Sequence, residues 1–425
     1  MLIPSFDLLN ILQGAQMGVW TELLGDNSVA LVVKLPQSII KKVYRGVNCA
    51  LITAVIKVGK FQILYVGFCV YDDIINPLII IQPVVTKKSQ REFQGMFRSS
   101  PIILHMFDEL CLPLLRATVK FDSTITSRAF KSISETHPHT LETTSFDIDY
   151  AFSFGRAADN GIDIFQTDLE SIKKGISSVP IPRTNYVIPF SLIVDKPSES
   201  FAINEMGNSV EFTLTRSDEG TAFEQLIFFS MNDLYHGQAF HRPIVKVTNR
   251  GRELADLIAL DYENNIICLI QAKSISSLQV SLDHDKNKRS GATEKQVRKA
   301  MAQLNGAIRK IRAGEQIFDC NNNLINIPDP ASSITHAIII ISEMFSFANW
   351  RQIGKDIITI SHNETYRAFC HLLDLLEFQL LMTNSESPLN FHNYLLQRWI
   401  TVKLKGTAYV RGRAKRPYDI EDNIN

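Results

Sequence analysis

The chain has 425 residues, 44 basic and 44 acidic side chains, and 45% hydrophobic content. That length suits two or three domains, each able to bury a core, and the charge balance excludes both whole-chain disorder and a uniformly basic coat. Its six cysteines (Cys49, Cys69, Cys111, Cys268, Cys320, Cys370) include no CxxC pair, which argues against structural zinc and a disulfide scaffold and for a reducing compartment.

In chain order, the start MLIPSFDLLN has no basic segment ahead of its apolar residues, and Asp7 interrupts it, so no signal peptide is expected. The apolar stretch Ala50–Val70 is broken by Lys57, Gly59 and Lys60, and reads as two strands and a turn rather than a membrane span. The expectation is a soluble cytoplasmic protein with no membrane partner. Val- and Ile-rich runs predict strands at Val29–Leu35, Ala50–Val58, Phe61–Val70 and Pro77–Val85. Helices are expected at Ser89–Phe97 and Pro101–Leu112, and a polar loop at Thr124–Thr144. His137-Pro138-His139 in that loop has no third ligand near it in sequence and is assigned to solvent. Residues 1–145 thus form a β-rich domain with two short helices. Residues 146–216 are a connecting region or part of that domain, with strands at Phe146–Phe154, Tyr186–Val194 and Val210–Thr215, and Pro180-Ile181-Pro182 as punctuation. Asp159–Asp163 lacks the full calcium-loop pattern and is assigned to a turn.

The pattern changes at residues 217–402. Ser217-Asp218-Glu219 opens a helix with Phe223, Leu226, Ile227 and Met231 at helical spacing. Strand-like runs follow at Ile244–Thr248, Leu254–Leu260 and Ile266–Ala272, the last two joined by the turn Asp261–Asn265. After a polar loop, Ser281–Ala292, an amphipathic helix is expected over Thr293–Arg312, with Val297, Ala300, Met301, Leu304, Ala307, Ile308 and Ile311 on one face. His336–Ser342 is a further strand. The order is helix, strand, strand, strand, helix, strand, within an overall α/β (α+β) chain. An α-rich extension follows, in which Asn363 caps a helix Tyr366–Met382 that is apolar on nearly all sides. Residues 403–425, with Arg411, Arg413, Lys415 and Arg416 ahead of Asp419, Glu421 and Asp422, read as a flexible tail.

Chemistry concentrates in ELADLIAL and CLIQAKS. Strand alternation puts Gln271 and Lys273 on one face, and a paired hairpin brings Asp256 to it. A lysine ending so apolar a run needs a partner, because burying an unpaired ammonium is costly. The preceding helix offers Glu224. Glu253 is a rival acid, but alternation would send it to the opposite face from Asp256.

These residues, in this element order, resemble the PD-(D/E)xK nuclease superfamily, the restriction-endonuclease-like fold with its αβββαβ core. The resemblance spans roughly Asp218 to Glu343, with Ala255 where a proline is usual and Gln271 in place of the usual acid, as in the QxK variant of Mrr-like enzymes. It implies a Mg²⁺-dependent endonuclease, with Mn²⁺ as a substitute, in which Glu224, Asp256, Gln271 and Lys273 are catalytic. Glu224, Asp256, the Gln271 side chain and the Ala272 carbonyl would hold the metal. Mg²⁺ seeks hard oxygen donors, and a lysine can offset charge on the phosphate. The nucleic acid expected is DNA, and defence of a bacterium against foreign DNA follows by analogy of fold. The alternative is a catalytically inactive nuclease-fold subunit that binds nucleic acid or acts as a scaffold, since Gln271 removes one negative charge.

Around the second helix, Ser281–Ala313 carries nine basic residues (Lys286, Lys288, Arg289, Lys295, Arg298, Lys299, Arg309, Lys310, Arg312) against three acids. Such a patch suits a phosphate backbone, with Gln296, Lys299, Gln303 and Lys310 along one flank and Lys288 and Arg289 before them. His236 and His241 flank a turn before the first core strand and are assigned to the surface, with placement of one of them near the site as the alternative. No nucleophile elbow, phosphate-binding glycine loop or HExxH motif is present, so an ATPase or regulatory partner would be a separate protein. A homodimer would suit double-strand cleavage.

Overall fold

The computed structural model describes residues 5–15, 17–26, 28–58, 61–71, 78–84, 87–98, 101–108, 111–121, 183–194, 200–203, 209–212, 214, 219–247, 250–274, 286–342, 344, 348–361 and 368–410. It is a mixed α/β architecture. Two compact units divide the chain: Met1–Ser200 with Thr213–Thr215 and Arg416–Asn425, and Phe201–Phe212 with Arg216–Lys415. No helix among the described residues is long and apolar enough to cross a membrane. The expectations for Thr124–Thr144, Phe146–Phe154, Asp159–Asp163, Pro180-Ile181-Pro182, Asn363 and the charged tail from Arg411 lie outside the described residues.

The first unit runs α1 (Phe6–Gly14), β1 (Gly18–Leu23), β2 (Val29–Lys34), α2 (Gln37–Tyr44), β3 (Cys49–Val58), β4 (Phe61–Val70), β5 (Leu78–Pro83), α3 (Lys87–Arg98), β6 (Ile102–Phe107), β7 (Pro113–Phe121) and β8 (Arg183–Val194). Its strands make one sheet in the order β1-β2-β6-β7-β8-β3-β4-β5. The expected hairpin is β3–β4, paired from Cys49↔Val70 to Val58↔Phe61. The helix expected at Pro101–Leu112 is instead β6, parallel to β2. A short continuous apolar run fits a buried strand as well as a buried helix, and a parallel strand is covered on both faces, as all of β6 except Ile103 is. Helices α1 and α2 are additions to the sequence reading. Ser5 starts α1 by accepting the Leu8 amide at 3.2 Å. Its far end is held by the fully buried Lys34, whose Nζ donates to the Leu12 carbonyl at 2.6 Å and the Ala15 carbonyl at 2.8 Å. These carbonyls lie in and just beyond the last turn, where a cation is favourable.

The second half adds β9 (Ser200–Ile203), β10 (Ser209–Phe212), α4 (Glu219–Leu234), β11 (Ala239–His241), β12 (Ile244–Val247), β13 (Arg250–Glu253), β14 (Leu257–Asp261), β15 (Ile266–Lys273) and α5 (Lys286–Arg312). It continues through β16 (Ile317–Phe318), β17 (Leu324–Ile325), β18 (Ile334–Ile341), α6 (Trp350–Ser361), β19 (Ala368–Asp374), α7 (Leu375–Asn384) and α8 (Pro388–Lys405). Its main sheet has the order β11-β14-β15-β18-β19, beside a smaller sheet β13-β12-β16-β17 and the pair β10-β9. β14 and β15 are antiparallel, whereas β15, β18 and β19 run parallel. The hairpin turn is built as the sequence suggests. Asp261 accepts the Asn264 backbone amide at 3.0 Å and its side-chain amide at 2.8 Å, and Asn265 takes φ 55°, which asparagine tolerates.

One sheet face carries Ile258, Leu260, Ile267, Leu269, Ala337, Ile339 and Ile341, packed under α5 and α6. All seven apolar residues expected on the buried face of α5 are buried. The helix begins at Lys286, so part of the expected loop Ser281–Ala292 is helical. The opposite face carries Cys268, which meets Tyr235, the residue just past α4, at 3.1 Å, together with His336 and His371. The single helix expected over Tyr366–Met382 is instead β19 followed by α7, with Asp374 capping α7 by accepting the Glu377 amide. An all-apolar stretch has no period to distinguish the two. Pairing with the buried β18 decided for a strand. The strand expected over Leu254–Leu260 starts later than expected: β14 begins at Leu257, and Leu254–Asp256 follow the end of β13 at Glu253 outside any strand.

Candidate functional site

The candidate site lies where the β14–β15 ladder ends. Leu257 pairs with Ile270, so the next residue back, Asp256, stands across from Gln271. Alternation continues from Ile267 and Leu269 through Gln271 and Lys273, which puts all three polar residues on the face covered by α5. Asp256 is 4% exposed and Gln271 2%, so both polar groups need partners inside the protein. Gln271 Nε2 donates to Asp256 Oδ1 at 2.9 Å, and the Ala272 amide donates to Oδ2 at 2.7 Å. Lys273 Nζ donates to Gln271 Oε1 at 2.6 Å and lies 3.5 Å from Asp256 Oδ2. The expected contact among Asp256, Gln271 and Lys273 is therefore present.

Glu224 reaches the same region from α4 through a second cluster. Its Oε2 accepts from Arg242 Nη2 at 2.7 Å and Nε at 3.0 Å, with His241 Nε2 at 3.5 Å. Arg242 ties this cluster to Asp256, whose carbonyl accepts the Arg242 amide at 2.8 Å. Neighbouring Leu254 donates to the Pro243 carbonyl at 2.8 Å, so the two chain segments run side by side. His241, assigned to the surface from sequence, is partly buried against Glu224 and lies tilted beside Phe228 at 5.5 Å between ring centres.

The carboxyl groups feel one another. Burial raises the Asp256 carboxyl above the usual carboxylate range, against the Lys273 charge and the Ala272 amide, which lower it. Glu253 is raised by lost hydration and then by the charge and hydrogen bond of Asp256. Burial opposes ionisation of Glu224 too, but the close His241 ring and the hydrogen-bonded Arg242 guanidinium hold it below its usual range. The proximity of Glu253 corrects the sequence reading, which sent it to the opposite face. Alternation holds only within one strand, and the chain leaves strand geometry at Leu254–Asp256.

Lys299 and Gln303 are exposed on α5, and Gln296 is exposed one turn before Lys299. Lys288 and Arg289 lie on its first turn, with no side-chain position described. α5 runs back along the sheet from the Lys273 end, because its last residues meet the start of β18 through Arg312 and Ser333. At 1.5 Å per residue, Lys310 lies about 30 Å along the helix from its Ser290 end. Lys310 is therefore remote from the site. Two patch members are occupied internally: Arg298 binds Asp356, and Arg312 donates to the Ser333 carbonyl at 3.0 Å.

Among the described residues, no group of three or more His, Cys, Asp and Glu side chains is gathered into a metal-binding cluster. In kind, however, the donors suit a hard divalent cation: the Asp256 and Glu224 carboxylates, the Gln271 amide oxygen and the Ala272 carbonyl, with Glu253 beside them. Mutual repulsion of Asp256, Glu224 and Glu253 is what such a cation would relieve. No protein-family model matches the chain, and no match was found among curated proteins or solved structures.

Proposed function

We propose that this site is a Mg²⁺-dependent phosphodiesterase centre of the PD-(D/E)xK type, acting on DNA, with the helix–strand–hairpin–helix–strand portion of the second unit as a restriction-endonuclease-like core. The observation that carries the reading is the union of Asp256, Gln271 and Lys273 at the open end of an antiparallel hairpin, on the face of a five-stranded mixed sheet crossed by α5. Asp256, Glu224, the Gln271 side chain and the Ala272 carbonyl would hold the metal. When bound, it supplies Lewis acidity toward the phosphate and a stronger nucleophile from water. Lys273, whose side chain is 18% exposed, remains close enough to solvent to meet a phosphate oxygen or hold the attacking water. Its bond to Gln271 Oε1 aims the ammonium, and the Ala272 amide fixes the orientation of Asp256. Exposed Lys295 and Lys299 on α5 offer contacts for a phosphate backbone.

A second reading, a nuclease-fold protein that binds DNA without cutting it, has its own support. Both Asp256 oxygens and Gln271 Oε1 are already satisfied by protein donors, and Gln271 contributes no charge. One experiment separates the two. Purified protein with supercoiled plasmid and Mg²⁺ or Mn²⁺ is expected to nick or cut DNA, and folded Asp256→Ala and Lys273→Ala variants are expected to lose at least about a hundredfold in rate. Equal activity in wild type and both variants would exclude the centre. DNA binding with no cleavage in either metal would select the second reading.

A further inference from the structure

Arg242 is in an unusual position for its type. It is a non-glycine residue with φ 48°, a left-handed conformation that is sterically unfavourable for an arginine. The surrounding structure enforces it: the preceding residue, His241, ends β11, the Arg242 amide is bound to the Asp256 carbonyl, and Pro243 receives Leu254. The conformation delivers the guanidinium to Glu224, where Nε and Nη2 converge on the single oxygen Oε2. The charges of Glu253 and Asp256 act on it as well. Arg242 thus supplies positive charge among three carboxylates, the electrostatic service that a divalent ion would perform. Its side chain is nevertheless 43% exposed. A guanidinium has five N–H donors, of which Glu224 uses two, so the remaining edge is open to an incoming anion.

We propose that Arg242 is an internal counter-ion of the metal-free site, which holds Glu224 away from the metal and transfers to a substrate phosphate when the metal loads. This rests on the phosphodiesterase reading above and adds its regulation: metal and nucleic acid bind as a coupled pair. Glu224 exchanges one cation for another, so the site never holds three uncompensated carboxylates. Free metal alone competes against a hydrogen-bonded arginine and binds weakly. A phosphate group draws the guanidinium outward, where bidentate contact with phosphate is favourable, and frees Glu224. Arg242 acts here as a positioning residue for Glu224 and a contact for phosphate.

The variant of choice is Arg242→Gly, because glycine keeps the left-handed backbone and the amide bond to Asp256. Arg242→Asn, which also tolerates this conformation, is the second variant should the first not fold. Mn²⁺ affinity is measured by electron paramagnetic resonance of free Mn²⁺, and DNA affinity by anisotropy of a labelled phosphorothioate duplex in saturating Mn²⁺. The expected signature is opposite in sign: the variant binds Mn²⁺ about tenfold more tightly and DNA about tenfold more weakly than wild type, within the usual range of coupling between sites. Arg252→Ala removes a neighbouring exposed charge from β13 and is expected to change Mn²⁺ affinity much less. Equal Mn²⁺ affinity in wild type and both variants, or weakening of both ligands together, would overturn the counter-ion role while leaving the metal site standing. Absence of millimolar Mn²⁺ binding in wild type and variants alike would overturn the metal reading itself, and this inference with it.

Discussion

His336, His371 and His392 form a hydrogen-bonded chain in the second unit, with ring nitrogens 2.9 Å and 2.6 Å apart. All three are buried, and His371 Nδ1 has no hydrogen-bond partner among the described residues. The charge of Asp261 acts on His392 and that of Arg398 on His371. Burial, and then the neighbouring His392, push His336 down from the ordinary 6.5 to about 3, and burial lowers His371 and His392 as well. The unfolded chain therefore takes up protons below the ordinary histidine range while the folded chain does not. The histidine contribution to stability is expected to be constant above that range and to fall as pH drops from about 6.5 toward 3, by at most about 1.4 kcal/mol per pH unit for each histidine. Urea unfolding at about pH 7 and about pH 5 measures this, and His336→Gln should flatten the dependence by up to one proton. An unchanged slope in that variant would mean that His336 is not the group responsible. The candidate site teaches a related lesson about single residues. Asp256, Gln271 and Lys273 were legible because two strands and one turn bring them together. Glu253, His241 and Arg242 were not, since their positions depend on where a strand stops and on two antiparallel segments meeting.

Among the elements, the amphipathic helix α5 was the most legible. Its seven apolar positions repeat at helical spacing, and burying that stripe under one face of the sheet leaves little freedom in orientation. β6 and β19 were the least legible, because an apolar run buried on all sides carries no period. Exposed Lys295 and Lys299 add positive charge to α5 near the site end. Reversing both to Glu is expected to weaken DNA binding at least tenfold and to reduce the slope of log affinity against log salt by about two, measured by anisotropy across a salt series. An unaltered slope would remove α5 from the interface. The seam between α6 and the segment after α8 is tighter. A Cβ on Gly354 would stand 2.8 Å from the Ala408 backbone nitrogen and 2.9 Å from Thr407 backbone atoms. The same segment is tied down by the Ala408 amide, which donates to the Trp350 carbonyl at 2.9 Å. Gly354→Ala is expected to cost about 1–3 kcal/mol, read as a lower unfolding midpoint. A midpoint equal to wild type would show that this seam yields freely.

For the whole molecule, two compact units with separate sheets predict that unfolding proceeds in more than one cooperative step, so the effect of Gly354→Ala should fall on one calorimetric transition and spare the other. The amino-acid sequence alone settled that the chain is mixed α/β and that the β14–β15 hairpin presents Asp256 beside Gln271 and Lys273. Both follow from short-range rules: side-chain alternation, turn chemistry and helical spacing act over a few residues and need no knowledge of the rest. Tertiary structure alone decided that β6 and β19 are strands, that Lys34 closes α1, and that Arg242 sits among Glu224, Glu253 and Asp256. Those outcomes turn on which strand or helix is available as a neighbour, and burial and charge are properties of the assembled surroundings that no local pattern encodes.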